Sequence, residues 1–191
     1  TDSAEAGYIR EHGPVNGLYD NHLSIMGVKV LGDGALGSRG SALLEDYSDD
    51  PGNRGSYRFT DEEIYNVMSL AYNNGYQIAY HAIGDGANHQ VLNTYERLLK
   101  ENPREDPRLR IEHFQVVTPE DIDRALELGI LTAMQFTHAT SDLSMAEDRL
   151  GPERIQTAYA WRTVLDKGGI IIGGSDAPVE MVNPFHGLYA G

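Results

Sequence analysis

The chain is predicted to be an α/β domain on a parallel sheet, and three observations carry that prediction. Five short apolar or β-branched runs recur along 191 residues: Gly27-Val-Lys-Val-Leu31, Gln77-Ile-Ala-Tyr-His81, Leu109-Arg-Ile-Glu-His113, Ile130-Leu-Thr-Ala-Met134 and Gly169-Ile-Ile-Ile-Gly-Gly-Ser175. They show little polar alternation, as expected of strands covered by helices on both faces. Amphipathic stretches with helix start and stop signals separate them, so strand and helix alternate down the chain.

The first helix follows Thr60-Asp-Glu-Glu63, which has the spacing of a capping box, and places Ile64, Val67, Met68, Ala71 and Tyr72 on one face before Gly75 ends it. The second opens near Gly86, carries Val91, Leu92, Tyr95, Leu98 and Leu99 as its apolar stripe, and stops before Pro103. The third starts at Thr118-Pro119-Glu120-Asp121, with Thr as N-cap and Pro at the first helical position, and Gly129 stops it. A fourth is expected from about Pro152 to Lys167, with Ile155, Ala158, Tyr159 and Leu165 facing inward.

Length fits one domain, residues 1–191. The chain has no initiator Met or signal-peptide pattern and stops at Pro184-Phe-His-Gly-Leu-Tyr-Ala-Gly191, where a Pro-initiated helix is due; it is therefore read as a piece of a longer protein. A net charge of −14 would repel phosphate backbones and anionic lipid, which argues against nucleic-acid and membrane-surface partners. No apolar stretch approaches the roughly 20 residues that span a bilayer. With no cysteine, disulfides, thiolate metal sites and a Cys nucleophile are excluded, and any metal must be held by nitrogen and oxygen. A soluble protein of the cytoplasm or periplasm is expected, with the cytoplasm slightly favoured; a homo-oligomer stays open.

Four residues of metal-ligand type, Lys29, His81, His113 and Asp176, are each read as sitting at the C-terminal end of a separate strand-like run, the end of an α/β barrel where chemistry is done. His81 precedes the small-residue turn Ala-Ile-Gly-Asp-Gly-Ala, and His113 has the same placement one βα unit later. Core histidines satisfied by hydrogen bonds are the competing reading. Asp176, in Gly173-Gly-Ser-Asp-Ala-Pro178, could bind a metal and take a proton from water, or cap the following turn. A lysine in a buried strand costs several kcal/mol unless its charge is removed or paired. Lys29 could therefore react as a neutral amine with carbon dioxide to give a carbamate, a bidentate ligand able to bridge two metals, or form an ion pair with Asp33.

The motifs Val28-Lys-Val-Leu-Gly-Asp-Gly-Ala-Leu-Gly-Ser-Arg39, His81-Ala-Ile-Gly-Asp85, Arg110-Ile-Glu-His113, Met134-Gln-Phe-Thr-His-Ala-Thr-Ser-Asp142 and Gly173-Gly-Ser-Asp-Ala-Pro-Val179 resemble the metal-dependent amidohydrolase superfamily. The nearest subgroup is amidohydrolase family 3, which includes N-substituted formamide deformylase and hydrolases related to exoenzyme-regulatory proteins. The resemblance implies the C-terminal part, about strands four to eight, of a distorted TIM (β/α)8 barrel. It implies Lys29 as a carboxylated lysine bridging two metals, His81 and His113 as ligands of the more exposed metal, and Asp176 as ligand of the other. Asp176 would also be the general base on the hydroxide that attacks an amide or related C–N carbonyl. The metal implied is zinc, one or two ions, and the substrate a small amide, N-substituted formamide or cyclic amide. The family's strand-one His-x-His pair does not occur in this chain, so those ligands and the family's small β-sandwich would lie outside it. The fragment alone is then expected to be incomplete as a catalyst.

Gln135, His138 and Asp142 follow the fourth run on a loop of the active face and could shape the substrate pocket or act as loop caps. Arg39 and Tyr47, in a Gly-rich loop, could contact substrate or stand solvated at the surface. Asp85 and Glu112 are expected to orient backbone or imidazole. His89, on a helix, and His12, His22 and His186, in irregular segments, are read as structural. The alternative to a hydrolase is a metal-free barrel kept as a small-molecule binding or regulatory module. Retention of all four ligand-type residues argues against it.

Overall fold

The computed structural model describes residues 3–191. Five parallel strands form one sheet in sequential order: β3 (Gly27–Leu31), β4 (Gln77–Ala82), β5 (Arg110–His113), β6 (Leu131–Met134) and β7 (Ile171–Gly173). They are preceded by α1 (Ala4–His12) and by a small antiparallel pair, β1 (Val15–Gly17) and β2 (Leu23–Ile25), joined through the turn α2 (Leu18–Asn21). Sequential parallel order with helical crossovers is the arrangement of a segment of a (β/α)8 barrel.

The helices form where caps and apolar faces agree. In α3 (Asp61–Asn73), Thr60 Oγ1 accepts from the Glu63 N–H while the Glu63 carboxylate accepts from the Thr60 N–H, and Ile64, Met68, Ala71 and Tyr72 are buried. Helix α4 (Asp85–Glu101) buries Val91, Leu92, Tyr95 and Leu98, and α5 (Pro119–Glu127) is capped by Thr118. These faces meet Val30, Ile78, Tyr80, Ala82 and Ile111 of the sheet in the main core, which lies on the helix side.

The C-terminal third departs from expectation. The predicted helix from Pro152 to Lys167 is broken: α7 (Ala146–Arg154) runs into the 3-10 turn Ile155–Thr157, and α8 (Trp161–Asp166) begins anew. At the break Tyr159 takes φ 52 and its N–H donates to the Gln115 carbonyl at 2.7 Å, while Ala158 pairs with Val116. A tertiary backbone bond thus replaces helix continuation. Val164, not Leu165, faces the core. The run Gly169–Ser175 yields only three strand residues, and coverage of both sheet faces fails at the edges: Leu31, Ile170 and Ile172 are exposed. Short helix α6 (Phe136–Ser141) and α9 (Pro184–Ala190) complete the described chain, and His12 and His186 prove to be helical. No helix among the described residues is long and apolar enough to cross a membrane.

Above the C-terminal strand ends, residues 32–60 fold back over the turn after β4. Gly84 is required there because a Cβ would stand 2.0 Å from the Ala42 carbonyl oxygen. Gly84→Ala is therefore expected to destabilise by about 1–3 kcal/mol, as overpacking against backbone does, read as a lowered urea midpoint.

Candidate metal centre

Register sets the stage. Leu31 pairs with His81, and His81 with Glu112, so Lys29, opposite Ala79, stands two residues before that row on the face His81 shares. Lys29 is thus the third residue of β3 and exposed, not at the strand end and not buried as its sequence suggested. The inner face that it occupies is open in this chain. Its proposed ion-pair partner is engaged elsewhere: Asp33, 1% exposed, accepts from the N–H groups of Ala42 at 3.0 Å, Ile83 at 3.1 Å and Gly84 at 2.9 Å.

His81 and His113 come together edge to face, with ring centroids 4.4 Å apart. Strand alternation alone would turn His113 toward the helices with Ile111. Instead β5 ends in two left-handed residues, His113 at φ 77 and Phe114 at φ 47; Phe114 enters the helix-side core and the His113 ring stands beside His81. Non-glycine residues at positive φ cost about 1–3 kcal/mol each, a cost that recurs at functional sites.

His81 Nε2 lies 3.1 Å from Asp33 Oδ1 without the alignment of a hydrogen bond, and has no other partner among the described residues. His113 Nδ1 lies 2.7 Å from Gln135 Oε1, and His113 Nε2 faces Asp176 Oδ2 at 4.0 Å. Asp176, three residues beyond β7, takes φ 52; the following turn closes on its backbone carbonyl, with the Val179 N–H at 2.9 Å, so its side chain does not serve as the cap. His138 stacks on His113 at 5.7 Å.

Burial, then the neighbouring His81, His138 and Lys29, hold the His113 imidazole down at about 3, so the ring is neutral at ordinary pH. Its stability consequence has a definite sign. An unfolded chain takes up a proton on this residue below about pH 6.5 and the folded one only near pH 3, so stability is complete above 6.5 and falls as pH drops through that window. Metal-free protein is expected to be about 2–3 kcal/mol less stable at about pH 4.5 than at neutrality through this group, with His113→Gln removing most of the difference in urea titrations.

Other predicted residues divide. Gln135 is buried against His113, whereas the Asp142 carboxylate is taken up by Tyr159 Oη at 2.7 Å and Gln115 Nε2 at 3.1 Å. Arg39 instead pairs with Asp49 at 2.8 Å, and Tyr47 is core, neither solvated nor free for substrate, its hydroxyl donating to the Ser41 carbonyl at 2.9 Å. Asp85 accepts from the Leu44 and Gly86 N–H groups, and burial raises its pKa. Glu112 pairs with Arg110, and His89 with Asp121. Two contributors were missed. Asp33 was visible as an Asp between glycines just after a strand, a setting in which carboxylates collect backbone N–H groups; Tyr159 carried no sequence signal.

The donor set, two imidazoles and a carboxylate, fits a divalent cation by type, with Lys29 on the same side of the sheet as His81. No three His, Asp or Glu side chains among the described residues already form a closed metal-binding group.

The model of the amidohydrolase family matches residues 9–191. A Bacillus subtilis (strain 168) protein named as an amidohydrolase, YtcJ, is 41% identical over 161 residues, 84% of this chain and 30% of its own length. The Arabidopsis thaliana protein LONG AFTER FAR-RED 3 is 36% identical over 167 residues, 87% of this chain and 29% of its own. A Pyrococcus furiosus crystal structure named as a metal-dependent hydrolase superposes with a TM-score of 0.85 at 29% identity, covering 97% of this chain and 38% of that one. The chain thus spans about a third of the length of the relatives it matches. By this match across nearly its whole length, and by the order of its motifs, the chain belongs to the amidohydrolase family, in the family 3 subgroup.

Proposed function

We propose that this chain carries part of the active site of a metal-dependent hydrolase that cleaves C–N bonds other than peptide bonds, in a small amide, N-substituted formamide or cyclic amide. The observation that carries the reading is the inward turn of His113 beside His81, with its Nε2 facing Asp176. Lys29, His81, His113 and Asp176 would hold one or two divalent ions, zinc by resemblance, with carbon dioxide captured as a carbamate on Lys29. The bound metal would supply a Lewis acid for the scissile carbonyl and acidify the attacking water. Asp176, side chain 41% exposed and turned toward the imidazoles, would take the proton from that water and pass it to the leaving nitrogen. Burial keeps His113 neutral and able to donate a lone pair. His138, which stacks on His113, and Asp142 would contact substrate. The other ligands, a His-x-His pair by resemblance, and the β-sandwich would come from sequence outside these residues.

The test is hydrolysis of N-substituted formamides and cyclic amides by full-length protein stripped with chelator and reloaded with zinc. Amine release that returns with zinc and is absent in His81→Ala is expected. Full metal loading without hydrolysis of any C–N substrate would contradict the activity. The competing metal-free binding module predicts a well-folded protein that takes up no metal.

A further inference from the structure

We propose that Gln135 is a positioning residue that locks His113 in the tautomer protonated at Nδ1, leaving Nε2 as the lone-pair nitrogen on the side of Asp176. The inference rests on the metal reading only for its consequence; the lock itself follows from donors and acceptors.

An amide side chain can be turned either way, and its surroundings decide which end is oxygen. Gln135 is 7% exposed, and its Nε2 lies 3.2 Å from the Ala133 carbonyl oxygen. A carbonyl only accepts, so the amide NH₂ must be at that end. The other end, 2.7 Å from His113 Nδ1, is therefore the oxygen, which also only accepts. The proton between them belongs to Nδ1. A neutral imidazole carries one N–H, so Nε2 is left with its lone pair.

The ring is held in place by its neighbours: His81 meets it edge to face at 4.4 Å and His138 stacks on it at 5.7 Å. The opposite tautomer would present an N–H toward Asp176, where it would donate to the carboxylate and repel a cation. Gln135 thus belongs to the support of an imidazole rather than to substrate contact, although it directly precedes α6, the short helix that carries His138 and ends at Asp142. Backbone geometry supplies the polarity: Ala133 is in β6 and Gln135 is the first residue past it, so a strand carbonyl sets the amide and the amide sets the ring.

The experiment combines long-range ¹⁵N–¹H correlation of histidine side chains in metal-free protein with zinc titration against a competing chelator, on wild type, Gln135→Glu and Gln135→Leu. Wild type is expected to show the Nδ1–H pattern at His113. Gln135→Glu, which keeps an acceptor for Nδ1 while giving up the bond to the Ala133 carbonyl, is expected to retain the pattern and a zinc affinity within about threefold, and Gln135→Leu to lose the pattern and about 10–100-fold in affinity. If the Leu variant loses its fold by near-ultraviolet circular dichroism, Gln135→Asn, whose shorter side chain withdraws the acceptor, takes its place with the same expectation. An Nε2–H pattern in wild type, or a Leu or Asn variant with wild-type tautomer, overturns the proposal. A wild type with the Nδ1–H pattern that binds no zinc leaves the lock standing and overturns the metal reading instead.

Discussion

Asp33→Ala is expected to cost about 3–9 kcal/mol, enough to unfold a large share of a domain whose whole stability is about 5–15 kcal/mol. The reason is arithmetic on buried donors. Three buried N–H groups, of Ala42, Ile83 and Gly84, end on this one carboxylate and lose their acceptor when it is gone. Each orphaned buried donor costs about 1–3 kcal/mol. The three come from two different segments, so the variant also removes one tie between the loop of residues 32–60 and the turn that follows His81, leaving those from the Gly86 N–H to the Ala42 carbonyl and from the Leu44 N–H to Asp85. Asp33→Asn separates the contributions. One amide oxygen at the position of Oδ2 would keep Ala42 and Gly84, while the NH₂ would oppose the Ile83 N–H and lie beside His81. A smaller loss is therefore expected, about 1–3 kcal/mol, together with a disturbed His81 ring. Urea midpoints for the two variants check the order; Asp33→Ala within about 1 kcal/mol of wild type would mean that the loop holds without its carboxylate.

Lys29→Ala is expected to leave folding nearly intact and to abolish hydrolysis. The side chain is exposed on the open inner face, so its removal leaves no cavity, and surface substitutions of that kind stay within about 0.5 kcal/mol. Its proposed part is chemical: as a carbamate it would supply oxygen donors to the metal. Loss of a direct ligand is expected to exceed the 10–100-fold loss seen for outer-sphere partners, so kcat/KM falls by about 100-fold or more and bound metal drops. Lys29→Arg, cationic and unable to form a carbamate, is expected to behave like the Ala variant. Activity restored to Lys29→Ala by added short-chain carboxylic acids would support a carbamate role, and full activity without rescue would remove it.

The parts of the fold legible in the sequence are those written locally. Thr60 and Glu63 cap each other three residues apart, Thr118 and Pro119 open α5, and the strand at Gly27–Leu31 has the bounds its apolar run suggested. The parts that were not legible depend on partners far along the chain. The helix expected through Tyr159 breaks because its N–H donates to the backbone carbonyl of Gln115, 44 residues earlier, and a separate bond from Gln115 Nε2 to Tyr159 Oη ties the same two residues. Leu165 and Ile172 read as core because they are apolar, yet one faces outward and the other lies on an edge strand that nothing in this chain covers. His81 and His113 were legible as histidines at strand ends, Lys29 was not, and the inward turn of His113 needed two left-handed residues that no pattern announced. Asp33 was weighed only as a partner for Lys29; its true partners are amides up to 51 residues away.

The central claim is a metal centre built on the two imidazoles, and the most direct measurement is metal content by elemental analysis of full-length protein, wild type beside His81→Ala/His113→Ala. One or two equivalents of zinc or another divalent ion in wild type, falling by at least about half in the double variant, is the predicted result, since these two residues are proposed as half of the ligand set of this chain. A well-folded wild type without stoichiometric metal, or a double variant that keeps all of it, would contradict the account.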